Sequence, residues 1–122
     1  MDIGLEGHFT TPNNPYMRTA LETMSRAGVL IRVTEINVAP GPNQAANLEK
    51  ILREVYAHSA LHGIILWTVW HKRGCYVMCL THNNFWNLPT GDVVDKLIRE
   101  CVWIRVIWPI FCYFLQSHAM IF

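Results

Sequence analysis

At 122 residues the chain has the length of one ordinary domain, and 52% hydrophobic against 16% charged residues excludes a disordered tail or a solvated linker. Ten Lys and Arg against nine Asp and Glu leave a formal charge of +1, with no basic surplus for a phosphate backbone, which argues against nucleic acid as a partner. The opening run Met1-Asp2-Ile3-Gly4-Leu5-Glu6 has neither a basic stretch nor a long apolar core, so it does not read as a signal peptide. Four unevenly spaced cysteines are too few for a disulfide scaffold and leave the redox compartment open.

Taken in chain order, a strand-like and a helix-like segment alternate three times. Residues 3–8 form a short strand bounded by a loop of Thr, Pro and Asn. Asn14-Pro15 then supplies an N-cap and a first helical position, and Met17, Ala20, Leu21, Met24 and Ala27 follow at spacings of three and four until Gly28 stops the helix. Residues 29–38 are rich in Val, Leu, Ile and Thr, as expected of a strand buried on both faces. After Pro40-Gly41-Pro42-Asn43, a second helix presents Ala45, Leu48, Ile51, Leu52 and Val55. Residues 63–67 read as a third strand, again apolar on both sides. A loop of some twenty residues, with a short hairpin expected near 75–80, leads to a third helix at 92–101. Such alternation predicts an α/β fold with parallel strands joined by right-handed crossovers.

From Val102 the composition changes to an aromatic and aliphatic tail punctuated by Pro109, so the chain divides into residues 1–101 and an unrelated apolar segment, 102–122. A membrane span takes about 20 apolar residues. Here Arg105 interrupts early and Gln116, Ser117 and His118 interrupt late, which leaves the tail a weak candidate for a membrane segment. A non-native sequence, such as a translated intron, is the other reading of it.

The charges carry the functional signal. Glu35 ends an apolar run, where a buried carboxylate is costly unless the site uses or pairs it. Glu6 and His8 occupy the matching end of the first strand, and Trp67, Trp70 and His71 the end of the third. Polar residues at the C-terminal ends of parallel strands commonly serve chemistry. A structural salt bridge between Glu35 and Arg32 is the plainer alternative.

Three stretches carry a resemblance: Gly4-Leu5-Glu6-Gly7-His8-Phe9, Thr34-Glu35-Ile36-Asn37-Val38 and Gly63-Ile64-Ile65-Leu66-Trp67. They resemble the last three barrel strands of family 10 glycoside hydrolases, the endo-1,4-β-xylanases. Met78-Cys79-Leu80-Thr81-His82-Asn83-Asn84-Phe85 and Asn87-Leu88-Pro89-Thr90-Gly91-Asp92-Val93-Val94-Asp95-Lys96-Leu97 are similar to the plant-type branch almost residue for residue. The likeness covers about residues 3–100. It implies a partial TIM (β/α)8 barrel comprising about the last three βα units, with no cofactor and no metal. Xylan or xylo-oligosaccharide is the implied partner, and the extracellular space or cell wall the implied location.

The resemblance also implies roles. Glu35 matches the nucleophile of a retaining mechanism, which works with a second, proton-donating carboxyl about 5–5.5 Å away. His8 matches the histidine that hydrogen-bonds nucleophile and sugar, Glu6 supports substrate and nucleophile, and Trp67 lines the sugar pocket by stacking. Trp70 is carried over as a further substrate-binding residue, although its loop varies. The family's proton donor, in an Asn-Glu motif on the fourth strand, has no counterpart in these 122 residues, and Glu6 falls on the nucleophile's side of the site. The expectation is a fragment or truncated gene model, marginally folded and catalytically silent by itself.

Two readings from other classes stand beside this one. His71, Cys75, Cys79 and His82 offer four zinc-type ligands, at a spacing that is not a standard signature. Cys75 and Cys79 would instead form a disulfide in an oxidising compartment. Trp67, Trp70 and Trp86 would stack on sugar in a non-catalytic binding remnant.

Overall fold

The computed structural model describes residues 1–67 and 70–107, with side chains described as far as residue 100. Its elements are β1 (Asp2–Phe9), α1 (Asn14–Ser25), β2 (Leu30–Val38), α2 (Gln44–Tyr56), β3 (Leu61–Leu66) and α3 (Pro89–Ile107). The strands form one parallel sheet in the order β1-β2-β3, so each helix is a crossover between neighbours or follows the last strand. Three parallel βα units are compatible with part of a barrel. Among the described residues, β1 and β3 each pair along one side only.

The core lies between the helices and one face of the sheet. Ile31, Val33, Ile36 and Val38 from β2 meet Leu48, Ile51, Leu52 and Val55 from α2, with Met17 and Leu21 of α1 closing one flank. Met78, Leu80 and Val93 close the other. Coverage is one-sided, which corrects the expectation of strands buried on both faces. Along β1 the residues alternate between exposed and half-buried, Leu30 and Arg32 of β2 are exposed, and Ile65 of β3 is 53% exposed. An apolar run records what a strand tolerates, whereas burial needs a second layer, and all three helices pack on the same side.

Local chemistry moved several boundaries. Asn13, not Asn14, caps α1: its side-chain oxygen accepts from the Tyr16 N–H at 3.1 Å, and Pro15 falls in the first turn, where its missing N–H costs nothing. α1 closes at Ser25, and Gly28 follows in the left-handed region at φ 69°, which glycine adopts without strain. α3 starts at Pro89, three residues before the sequence suggested, because the Thr90 hydroxyl donates to the Cys79 carbonyl at 2.6 Å and fixes the first turn against the loop. α3 also continues past Cys101 to Ile107. Losing amphipathic period does not break backbone hydrogen bonding, and no proline intervenes before residue 109. The remainder of the expected tail, 108–122, lies outside the described residues. No described helix is long and apolar enough to cross a membrane.

The hairpin expected near 75–80 is absent. A Cys75–Cys79 disulfide, with Cα atoms 5.4 Å apart, closes that turn instead, and the antiparallel pairing falls later, as a bridge between Thr81 and Asn87. Gln44 ties this loop to the sheet, since its side-chain amide donates to the carbonyls of both Val38 (2.7 Å) and Val77 (3.1 Å).

Ion pairs join the helices across the surface. Arg18 meets Glu54 at 2.7 Å between α1 and α2, Lys96 of α3 meets Glu49 of α2, and Arg53, paired with Glu49 along α2, also meets Glu100 of α3. The Arg18 hydrogen bond holds the Glu54 carboxyl below its ordinary range. Hydrogen bonds from Lys96 and then Arg53 do the same for Glu49.

Candidate active site

The site is built by one irregularity in β2. Leu5 pairs with Val33, but Glu6 pairs with Glu35, so Thr34 is an extra residue with no partner in β1. Against β3 one residue of the pair Thr34–Glu35 is likewise extra, since Val33 pairs with Ile64 and Ile36 with Leu66. Side chains in a regular strand alternate faces, so without the bulge Glu35 would point with Val33 into the helix-covered core. The bulge reverses the alternation. Ile36 and Val38 enter the core, while Glu35 and Asn37 join Glu6 and His8 on the open face. The Thr34 hydroxyl donates to the Leu5 carbonyl at 3.4 Å, bracing the bulge against β1.

The result is a compact cluster. His8 Nε2 lies 3.7 Å from a Glu35 carboxylate oxygen and 4.0 Å from one of Glu6, and ligand-type atoms of all three side chains fall within 4.8 Å of one another. Glu35 is the most enclosed, with its side chain 26% exposed, while Glu6 and His8 are open to water. The Asn37 amide nitrogen lies 2.7 Å from His8 Nδ1, and Asn37 is itself buried. An amide donating to Nδ1 leaves the neutral ring's proton on Nε2, facing the two carboxylates. The arrangement therefore suits hydrogen bonding to the acids better than ligation of a metal, which needs the Nε2 lone pair.

Glu6, His8 and Glu35 are thus brought together as the sequence suggested. The alternative pairing of Glu35 with Arg32 does not form, because Arg32 meets Asp2 at 2.9 Å nearer the other end of the strands. Trp67 follows β3 directly: its N–H donates to the Ile36 carbonyl at 3.0 Å, and its side chain is half-exposed. Trp70 leaves the sheet and pairs with Phe85, ring centroids 5.5 Å apart. Asn37 was not singled out from the sequence. Its signal was its position two residues after Glu35, which places both on one face. The four-ligand zinc reading fails, since Cys75 and Cys79 are bonded to each other and offer no thiolate.

No protein-family model matches the chain. Among curated proteins it is 44% identical over 100 residues to endo-1,4-beta-xylanase 5 of Arabidopsis thaliana, covering 80% of this chain and 18% of that protein. Endo-1,4-beta-xylanase 4 of the same plant is 38% identical over 100 residues, with the same two coverages. Endo-1,4-beta-xylanase 2 is 37% identical over 70 residues, 56% of this chain and 7% of that protein. Over most of its length the chain is similar to plant endo-1,4-beta-xylanases, and it spans less than a fifth of the length of these relatives.

Proposed function

We propose that this homologue of plant endo-1,4-beta-xylanases is the C-terminal part of a retaining, xylan-hydrolysing barrel, with Glu35 as its nucleophile. One observation carries the reading: the bulge at Thr34 spends an irregularity to bring Glu35 out of the core and beside His8 and Glu6. Bulges that re-aim a side chain recur next to active sites.

The chemistry follows from that placement. A Glu35 carboxylate oxygen attacks the anomeric carbon as its bond to the departing sugar oxygen breaks, giving a glycosyl ester. The departing oxygen takes a proton from a second carboxyl, which then receives one from the water that hydrolyses the ester. His8, oriented by Asn37, holds its Nε2 proton toward Glu35, and Glu6 bounds the other side of the imidazole. Trp67, at the end of β3, stacks on the sugar, and Trp70 extends the surface. The proton-donating carboxyl comes from barrel units outside these 122 residues. The chain alone is then a half-site that can be charged on Glu35 but does not turn over xylan. An extracellular or cell-wall setting agrees with the disulfide in the β3–α3 loop, since such bonds persist in oxidising compartments.

The test is a 2-fluoro-xylobioside with a strongly activated leaving group, which departs with little protonation. Mass spectrometry should find the label on Glu35, and Glu35→Gln should abolish it. An intact xylanase that labels while this chain does not would overturn the half-site reading. A second reading, a non-catalytic carbohydrate-binding remnant, draws on the exposure of Trp67, Trp70 and Trp86. It predicts xylo-oligosaccharide binding that survives Glu35→Ala, with no labelling of either form.

A further inference from the structure

We propose that copies of this chain associate head to tail, the β3–α3 flank of one against the β1–α1 flank of the next, so that the parallel sheet continues from molecule to molecule. The proposal stands apart from the reading of Glu35 as a nucleophile and needs none of its chemistry.

The strand edges are the first reason. No described strand pairs with the outer edge of β1 or of β3, and a bare edge is a template for a further strand. Folded proteins guard such edges with a proline, a lysine or a bulge. Neither β1 nor β3 contains proline or lysine. β1 has no extra residue of its own, and the extra residue of β3, His62, lies near the start of the strand.

The helix layer is the second reason. Where helices meet within the chain, the seam is ionic. Asn14 and Arg18 of α1 turn to Glu54 of α2, and Lys96 and Glu100 of α3 turn to Glu49 and Arg53 of α2. At 3.6 residues per turn, the opposite side of α1 carries Tyr16 and Ala20, and that of α3 carries Val94 and Ile98. These sides are apolar, and Tyr16 and Ile98 are exposed. Beneath them Leu5 and Phe9 of β1, and Ile64 and Leu66 of β3, are only half-buried. A strand and its helix are thus left short of apolar cover at each end of the molecule.

A second copy is the occupant that matches. Each flank lacks what the other supplies, a parallel strand with its helix on the same side of the sheet. That is how β1 meets β2 and β2 meets β3 within the chain. A contact of like with like, β1 on β1 or β3 on β3, would cover one flank and leave the other bare. Head-to-tail pairing is heterologous and covers both. With a net charge of +1, the copies have little charge to keep them apart.

The experiment is sedimentation velocity of the full chain over a wide range of concentration, with Tyr16→Glu and Ile98→Glu as variants. Both residues are exposed, so an unchanged circular dichroism spectrum verifies the fold. The wild type should grow past the dimer as concentration rises, and each variant should associate about tenfold more weakly. An equimolar mixture of the two variants should form a one-to-one dimer, because one intact junction remains between them. A wild type that stays monomeric throughout would overturn the proposal. If Ile98→Glu then also lowered the thermal midpoint, the flank would be covered from within the same chain. Weakening in only one of the variants would overturn it too, since a like-with-like contact uses a single flank. Association as strong as wild type in both would place the contact elsewhere and equally overturn it. Labelling of Glu35 enters none of these outcomes, so the two readings fail separately.

Discussion

Glu6 and Glu35 sit opposite each other on adjacent parallel strands only because Thr34 is spare. β2 carries one residue too many between Val33 and Ile36 against both neighbours, so the irregularity belongs to β2 itself and not to one ladder. Deleting Thr34 makes the β1–β2 ladder regular, removes the irregularity between Val33 and Ile36 against β3, and leaves Ile36 and Val38 facing the helices. That variant should fold, with a modestly lowered thermal midpoint. Inserting a glycine between Thr34 and Glu35 inverts every later side chain of β2 and should abolish cooperative unfolding by circular dichroism. A deletion that unfolds beside an insertion that folds would contradict the assigned register.

One-sided burial separates two isoleucines. Ile36 is fully buried against the helices, and Ile36→Ala should cost about 2–5 kcal/mol, enough to unfold a small chain of this kind. Ile65 lies on the open side, half-exposed, and Ile65→Ser should shift stability by no more than about 0.5 kcal/mol. Urea midpoints of the two variants would decide; a similar loss in both would mean that the open face is covered in solution.

Acid should loosen the helical layer. The Glu49 and Glu54 carboxyls are held below their ordinary value of 4.5 by cationic partners: Lys96 of α3 and then Arg53 of α2 itself for Glu49, and Arg18 of α1 for Glu54. Carboxyls depressed in the folded state give their full stabilisation above the unfolded value, and lose it as pH falls through the folded one. The thermal midpoint should therefore decline from about pH 4.5 downward, and the pair Glu49→Gln and Glu54→Gln should flatten that decline. Because the partners Arg18, Arg53 and Lys96 are open to solvent, high salt should flatten it too.

The disulfide makes a distinct claim. Cys75 and Cys79 are four residues apart, and so short a closed loop contributes about 2 kcal/mol on the chain-entropy scale. Replacing both by Ser should lower stability by that order and speed proteolysis beside the fully exposed Tyr76. Titrating the oxidised chain with zinc should give no stoichiometric end point, whereas one zinc per chain would reopen the His71–His82 reading.

The order of strands and helices was legible because alternation of apolar runs with three-and-four spacing survives any detail of packing. Glu35 was legible because a carboxylate ending an apolar run is expensive. Its face was not. Thr34-Glu35-Ile36-Asn37 alternates equally well in either register, and only the ladder with β1 reveals which residue is spare. Burial of β2 and β3 was overstated for a related reason, since Leu30 and Ile65 are apolar whether or not a layer lies over them. Asn37 escaped notice because its role exists only through His8, a residue 29 positions away.

Gln44 adds a direct polar link between the strand bearing Glu35 and the disulfide-closed loop. One amide group holds the carbonyl that ends β2 and a carbonyl inside the disulfide-closed loop. Any swing of that loop must break a bond to the strand bearing Glu35, so the aromatic rings and the carboxylates are indexed to a common origin. A bound polymer would then be metered: where its outer sugars rest on the rings dictates which linkage lies at Glu35. In Gln44→Ala that calibration would slip, and the spread of product lengths from a completed barrel would widen without any change at the carboxylates.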